Sequence, residues 1–215
     1  MKVVVIGAGG HVGKHIVAAL YASSDIPIAQ VRHTHQADEY RQQGIETRLI
    51  DLEAPLAEIM AAMQGADAVI FSAGSGGSTG EDKTLLVDLD GAVKSIQAAQ
   101  QTGITRFVMV SALGANKRER WNDALKPYYV AKHYADEWLK RSGLDYTILR
   151  PGRLSDEAPT HRITVGYPDS REGRQIPRQD VAAVAVAALH IDQSIGKEID
   201  FLSGEQDMVE ALTSL

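Results

Sequence analysis

Residues 1–13, MKVVVIGAGGHVG, constrain what this chain can fold into more than any other stretch. Val3 to Ile6 is a short, β-branched apolar run without alternation, as in a strand buried on both faces of a parallel sheet. It stops at Gly7, and glycines recur at Gly9, Gly10 and Gly13. Val12, Ile16, Val17 and Leu20 then share one face of an amphipathic helix. Strand, glycine turn and helix together aim free backbone N–H groups and a helix N-terminus at a phosphate. The glycines let the pyrophosphate approach the backbone where a Cβ would block it.

Length and composition narrow the partners. A chain of 215 residues can bury a full core. The net charge is −6 and Lys and Arg are not clustered in sequence, which argues against nucleic acid or an anionic membrane as the main partner. The chain holds no cysteine, so disulfides, thiolate nucleophiles and Cys-based metal sites are excluded. No apolar run approaches the roughly 20 residues of a membrane helix. The first residues run directly into a strand without the pattern of a secretory signal, so a cytoplasmic location is expected.

Short apolar runs alternate with longer amphipathic ones, which predicts an α/β fold, a Rossmann-like doubly wound parallel sheet with helices on both faces. The expected strands after the first are Ile28 to Arg32, following a break at Pro27, then Thr47 to Ile50, Asp67 to Ser72, Arg106 to Ser111, Asp145 to Arg150 and Glu198 to Leu202. Helices are expected over His35 to Gln43, from Pro55 to Gly65, over Leu85 to Gln101, from about Pro127 to Arg141, over Asp180 to Ile191 and over Gln206 to Leu212. Pro151 to Arg178 has no strong period and reads as a small substrate-side insertion. Without a repeat or interdomain linker, residues 1–215 read as one domain.

The turn carries GxxGxxG at Gly7, Gly10 and Gly13. In the NAD-specific form of such a site, an acidic residue about 20 positions on grips the ribose 2′-OH. Arg32 stands there instead, and a guanidinium suits a 2′-phosphate through charge-assisted hydrogen bonds, so NADP(H) is favoured over NAD(H). His33 and His35 could add donors, but lack a third ligand for a metal, and no metal site is expected. Asp51, followed by Leu52, either accepts from an adenine amino group or caps the next turn. Ser72-Ala73-Gly74 closes strand four at the switch point, where small residues admit a ribose. The expected cofactor contacts are Gly7, Gly9, Gly10, His11, Val12, Gly13, Arg32, Asp51, Leu52, Ser72, Ala73, Gly74, Lys132 and Pro151. Tyr128 and Lys132 lie four apart on one helical face, where the ammonium would lower the phenol pKa. Such a Tyr can exchange the proton that accompanies hydride transfer. Tyr129 reads as a packing residue.

With these residues, the chain resembles the short-chain dehydrogenase/reductase superfamily. It is most similar to the atypical NAD(P)H-binding branch that includes NmrA-like, flavin-reductase-like and small sugar-epimerase-like proteins. The resemblance runs through VVVIGAGGHVG, Arg32, FSAGSGG, DLDGAVKSIQAAQQTGITRFVMVSALGA and YYVAKHYADEWLKRSGLDYTILRPG. It implies strand order 3-2-1-4-5-6-7, Tyr128 as acid/base, Lys132 on the nicotinamide ribose and the Arg150-Pro151-Gly152 turn near the nicotinamide. It also implies that Pro177 to Val181 is the return into the last major helix. Many relatives carry an assisting Ser one or two places after strand five, where this chain has Ala112 and Leu113, so either Ser111 orients Tyr128 or that assistance is missing.

Three functions follow as expectations. The first is an NADPH-dependent oxidoreductase acting on a small carbonyl, quinone or flavin-like compound. The second is a non-catalytic NADP(H)-sensing binding protein, and the third a sugar epimerase or dehydratase. The substrate is a small molecule that the sequence does not name, and monomer and homodimer are both open.

Overall fold

The structure is a computed structural model that describes residues 1–77, 79–168 and 173–215. Its first half alternates strand and helix: β1 (Lys2–Ile6), α1 (His11–Tyr21), β2 (Ile26–Val31), α2 (Thr34–Gln42), β3 (Glu46–Leu49), α3 (Leu56–Met63) and β4 (Ala68–Phe71). One turn of helix, α4 (Glu81–Lys83), then runs into a π-helical stretch, Thr84–Gly91, and on into α5 (Ala92–Thr102). β5 (Arg106–Val110), α6 (Lys126–Lys140) and β6 (Asp145–Pro151) follow. The last part contains β7 (Arg153–Ser155), β8 (Arg162–Val165), β9 (Gln175–Pro177), α7 (Arg178–His190), β10 (Lys197–Ser203), β11 (Gln206–Asp207) and α8 (Met208–Thr213).

The sheet order is β11-β8-β10-β6-β5-β4-β1-β2-β3. Its seven parallel strands reproduce the expected 3-2-1-4-5-6-7, with β10 as the seventh. Side chains on β1 alternate between the two faces. Val3 and Val5 pack with α1, α2, α7 and α8, whereas Val4 and Ile6 pack with α3, α5 and α6. A strand buried this way needs apolar residues at every position, so no alternation shows in its sequence. From β1 the chain winds outward to β3, then crosses back to β4 on the other side of β1. The resulting crevice between β1 and β4 is where an open α/β sheet takes its ligand.

Several expected boundaries are corrected. β2 begins at Ile26, and Pro27 lies within it instead of breaking it. Ile26 N–H points to Met1 O on the β1 side, so the next residue faces the β3 side. There pairing starts only at Ile28 with Glu46, so the missing N–H of Pro27 costs no ladder bond. β2 also ends at Val31, leaving Arg32 just beyond it, and β3 covers 46–49. The expected 85–101 helix starts earlier and is π-helical over its first two turns. Gln206 and Asp207 pair with β8 before the final helix, because the Asp207 carboxylate caps the N–H groups of Val209 and Glu210. Within the aperiodic 151–178 segment, β8 adds antiparallel to β10, and β7 pairs with β9 outside the main sheet. The part of that segment at 169–172 lies outside the described residues.

Candidate functional site

The carboxyl ends of the central strands open into one cleft of about 1800 Å3. One end is the glycine turn. Gly7 has φ +83°, and a Cβ there would lie 2.7 Å from the Ala73 backbone, so the turns after β1 and β4 close on each other only through glycine. A Cβ on Gly13 would run into Gly7 O, so α1 also packs closely against the turn. Gly10 precedes α1 without a side-chain cap. Among the described residues, the N–H groups of His11, Val12 and Gly13 find no acceptor in the protein. Together with the positive end of the helix dipole they form an anion seat.

Gln30 holds this turn in place and was not foreseen. Its Oε1 accepts Gly7 N–H at 3.3 Å, its Nε2 donates to Ile50 O at 2.6 Å, and its backbone O accepts Ala8 N–H at 3.0 Å. Tyr40 Oη adds a 2.7 Å bond to Ala8 O. The signal was a lone amide in the otherwise apolar run IPIAQV. A buried amide of that kind must find partners.

Arg32 is exposed on the cleft rim, and its Nε donates to His33 Nε2 at 3.2 Å. The His33 and His35 rings stack at 5.6 Å, and no metal-binding cluster of three His, Cys, Asp or Glu occurs among the described residues. Asp51 Oδ1 accepts Glu53 N–H at 3.0 Å, the capping role that was one of its two expected ones. Leu52 borders the cleft, but its side chain is buried in the core beneath α5. Ser72, Ala73 and Gly74 line the wall beside the glycine turn, and Pro151 ends β6 further along.

Tyr128 enters the same cleft from the first turn of α6, with Lys132 one turn below. Lys132 Nζ donates to Val110 O at 3.1 Å and lies 4.0 Å from Asp88 Oδ1. Asp88 is buried in the π-helical stretch, and its other oxygen accepts Ser75 N–H at 2.9 Å. The expected lowering of the Tyr128 pKa is overturned. Burial raises it, and the charge of Asp88 raises it further, followed by Tyr129 and Asp136. The ammonium does not reverse this, because Asp88 and a carbonyl already face it. The phenol thus carries its proton into the cleft, as a weaker acid than an ordinary tyrosine.

Ser111 is not brought onto Tyr128 by a hydrogen bond. Its buried Oγ and Asp136 Oδ1 both lack a hydrogen bond of normal length, yet the hydroxyl is near enough to favour the Asp136 carboxylate. Burial outweighs that help and raises the Asp136 pKa, against the pull of Arg150 at 2.9 Å.

Residues 7–192 match the family model described as NAD(P)H-binding. The chain belongs to that NAD(P)H-binding family. The family falls in the Rossmann class of atypical short-chain dehydrogenases/reductases. Bacillus subtilis YhfK, named as an uncharacterized sugar epimerase, is 50% identical over 216 residues, covering 100% of both chains. The oxidoreductase ylbE from Lactococcus lactis is 35% identical with a TM-score of 0.90, covering 100% of this chain and 96% of that one. ChuY of Escherichia coli O157:H7, an anaerobilin reductase, is 25% identical with a TM-score of 0.81, covering 95% and 98%. In this NAD(P)H-binding chain, the glycine turn, Arg32 and the β4 turn are the residues that fit a dinucleotide.

The remaining wall of the cleft was not legible in advance. Trp121 and Tyr129 stack at 6.0 Å with planes 9° apart, so Tyr129 packs, but on the cleft face. Trp121 Nε1 bonds Gly114 O at 3.0 Å, which fixes the loop after β5. Asp88 did leave a trace, since helical spacing puts it one turn before Ala92 on the buried face. A carboxylate on a core stripe calls for a partner.

Proposed function

We propose that the chain is an NADP(H)-dependent reductase of a small carbonyl, quinone or flavin-like compound. The observation that carries this reading is the placement of Tyr128 one helical turn from Lys132 in the cleft that also holds the glycine turn. When bound, the nicotinamide supplies a hydride. The anion seat at His11 to Gly13 receives the pyrophosphate, and Arg32 the 2′-phosphate. Tyr128 Oη gives its proton to the oxygen or nitrogen that gains electron density, and regains one from solvent. Lys132, held by Val110 O and facing Asp88, would hold the nicotinamide ribose one helical turn from the phenol. Ser72 to Gly74 leave room for a ribose beside the turn. The names of ylbE and ChuY support reductase chemistry.

The second reading, a cofactor-binding protein without turnover, draws on Ser111, which makes no hydrogen bond to Tyr128. The name of YhfK supports a third, sugar epimerisation. One experiment separates them. Purified protein is titrated with NADPH and NADH, then followed for NADPH oxidation with quinones, flavins and aldehydes, and for epimerisation of nucleotide sugars without net cofactor oxidation. Net oxidation that Tyr128→Phe abolishes supports the reductase. Tight NADPH binding with no turnover on any acceptor would refute it.

A further inference from the structure

We propose that Asp88 is a further cofactor-binding residue. Together with Lys132 it grips the nicotinamide ribose, Asp88 Oδ1 accepting from a sugar hydroxyl to which the Lys132 ammonium donates. This rests on the NADP(H) reading of the cleft and adds a ligand to the same site. Asp88 stands in the π-helical stretch and Lys132 on α6, so the grip is made by two elements from opposite sides of one ion pair.

The two oxygens of the carboxylate are placed differently. Oδ2 accepts Ser75 N–H at 2.9 Å and so fixes the loop after β4. Oδ1 takes no hydrogen bond among the described residues, although Asp88 lines the cleft and is only 1% exposed. The hydroxyls of Ser75 and Thr84 face each other at 3.4 Å and leave Oδ1 open. Lys132 Nζ is 4.0 Å away, an ion-pair distance too long for a hydrogen bond. That ammonium has three donors and is bonded to one acceptor, Val110 O, although its side chain is buried as well. Buried charges held this far apart are incompletely satisfied.

A hydroxyl has one donor and two lone pairs, so one sugar hydroxyl accepts from Nζ and donates to Oδ1 at once. The pair also discriminates by charge. An anion is repelled by the carboxylate and a second cation by the ammonium, which leaves a neutral polyol as the favoured ligand. Gly74 keeps the approach from the β4 turn open, since a Cβ there would lie 3.0 Å from Asp88 Oδ1. Tyr128 is one helical turn from Lys132, so a ribose held by the pair sets its base beside the phenol.

The test is equilibrium binding by titration calorimetry, which requires no turnover. The probes are NADP+, 2′,5′-ADP, which ends before the nicotinamide ribose, and the two NADP+ analogues lacking the 2′- or the 3′-hydroxyl of that ribose. The parent is expected to bind at least one deoxy analogue about tenfold or more weaker than NADP+, as loss of a hydrogen bond to a charged group predicts. Asp88→Asn and Asp88→Ala should weaken NADP+ by a similar factor and lose the discrimination against that analogue. Binding of 2′,5′-ADP should stay within about twofold, as for a site out of contact. Equal binding of NADP+ and both analogues by the parent, or equal losses for NADP+ and 2′,5′-ADP in the variants, would overturn the proposal. Discrimination kept in full by both variants would assign the hydroxyls to Lys132 alone and overturn it too. A crystal structure of the parent with NADP+ needs no variant to fold, and a nicotinamide-ribose oxygen out of hydrogen-bond reach of Asp88 Oδ1 would be equally decisive against it. Failure of NADP+ to bind at all would overturn the cofactor reading and this one with it, whereas the expected discrimination without turnover would overturn the reductase reading alone.

Discussion

Asp88 Oδ1 lies 4.0 Å from Lys132 Nζ, and both side chains are almost fully buried. The carboxylate therefore faces the ammonium in the first helical turns below Tyr128, while its second oxygen holds Ser75 N–H. Asp88 lies within the π-helical stretch. A wider turn shifts the register of side chains within one helix, and such turns often mark functional sites.

Asp88→Asn tests what that carboxylate does to the phenol. Burial is the main cause of the raised Tyr128 pKa and the charge of Asp88 the next, so removing the charge lowers it without returning it to the ordinary value. The measurement is an ultraviolet phenolate titration, read as the difference between each protein and its Tyr128→Phe counterpart. In the Asp88→Asn variant the phenol should ionise at lower pH than in the parent. Coincident difference curves would remove Asp88 from the account.

Tyr128→Phe should leave NADPH affinity nearly unchanged and reduce turnover by about 10²–10⁴, the usual worth of a positioned acid. Lys132→Met is a different lesion. It leaves Asp88 buried without its cation, at a cost of about 3–5 kcal/mol in stability. The first variant should melt like the parent in calorimetry, and the second should melt well below it.

The sheet order was legible because it depends on periodicity and on glycine turns, which are local. Val3 to Ile6, Gly7 to Gly13 and the strand-end Arg32 could all be read without knowing what packs on them. Asp88 and Gln30 were harder, since each is defined by a partner 44 or 20 positions away, at Lys132 and Ile50. The contacts around Tyr167 were illegible for the same reason. Lys117, Arg120 and Arg174 look like ordinary solvated charges in sequence, and become a cluster only because β8 adds to β10 and brings Tyr167 among them. Which of the two alternatives for Ser111 holds was not legible, because position at a strand end does not fix where a hydroxyl points.

Arg32→Ala should weaken NADPH and spare NADH. A hydrogen bond to a charged group contributes about 1.5–3 kcal/mol, which corresponds to roughly a tenfold to hundredfold change in Kd. Arg32 is exposed and bonds only to the neighbouring His33 among the described residues, so its removal should not disturb the fold. Fluorescence titration with both cofactors is sufficient. Equal losses for the two would refute a 2′-phosphate contact.

Gly13→Ala should abolish dinucleotide binding through packing alone. The added Cβ would overlap Gly7 O and crowd Ala8 Cα at 2.9 Å, which are backbone atoms that cannot rotate away. Forcing α1 off the turn should cost about 1–3 kcal/mol and displace the anion seat. Calorimetry should show a lowered Tm that saturating NADP+ raises far less than in the parent, whereas an undiminished shift would mean that the turn tolerates the movement.

At the opposite end of the sheet, Asp25 gives stability a pH dependence unrelated to the cleft. Its carboxylate is buried, bonded to the Met1 amine at 2.8 Å and to His190 Nε2 at 2.7 Å, and so ties the start of β1 to the end of α7. Burial pushes its pKa up, but the bonds from the Met1 amine and His190 outweigh this and hold it below the ordinary 3.8. A carboxylate lowered in the folded state stabilises fully above its unfolded value, and that contribution disappears as pH falls through the folded value. Asp25→Asn should therefore cost about 1–3 kcal/mol near neutrality, the worth of hydrogen bonds to a charged group. The difference in Tm between the two proteins should be present at neutral pH and shrink as pH falls through the carboxylate range. A difference that persists undiminished at the most acid pH where both still fold would show that Asp25 acts through packing and not through its charge.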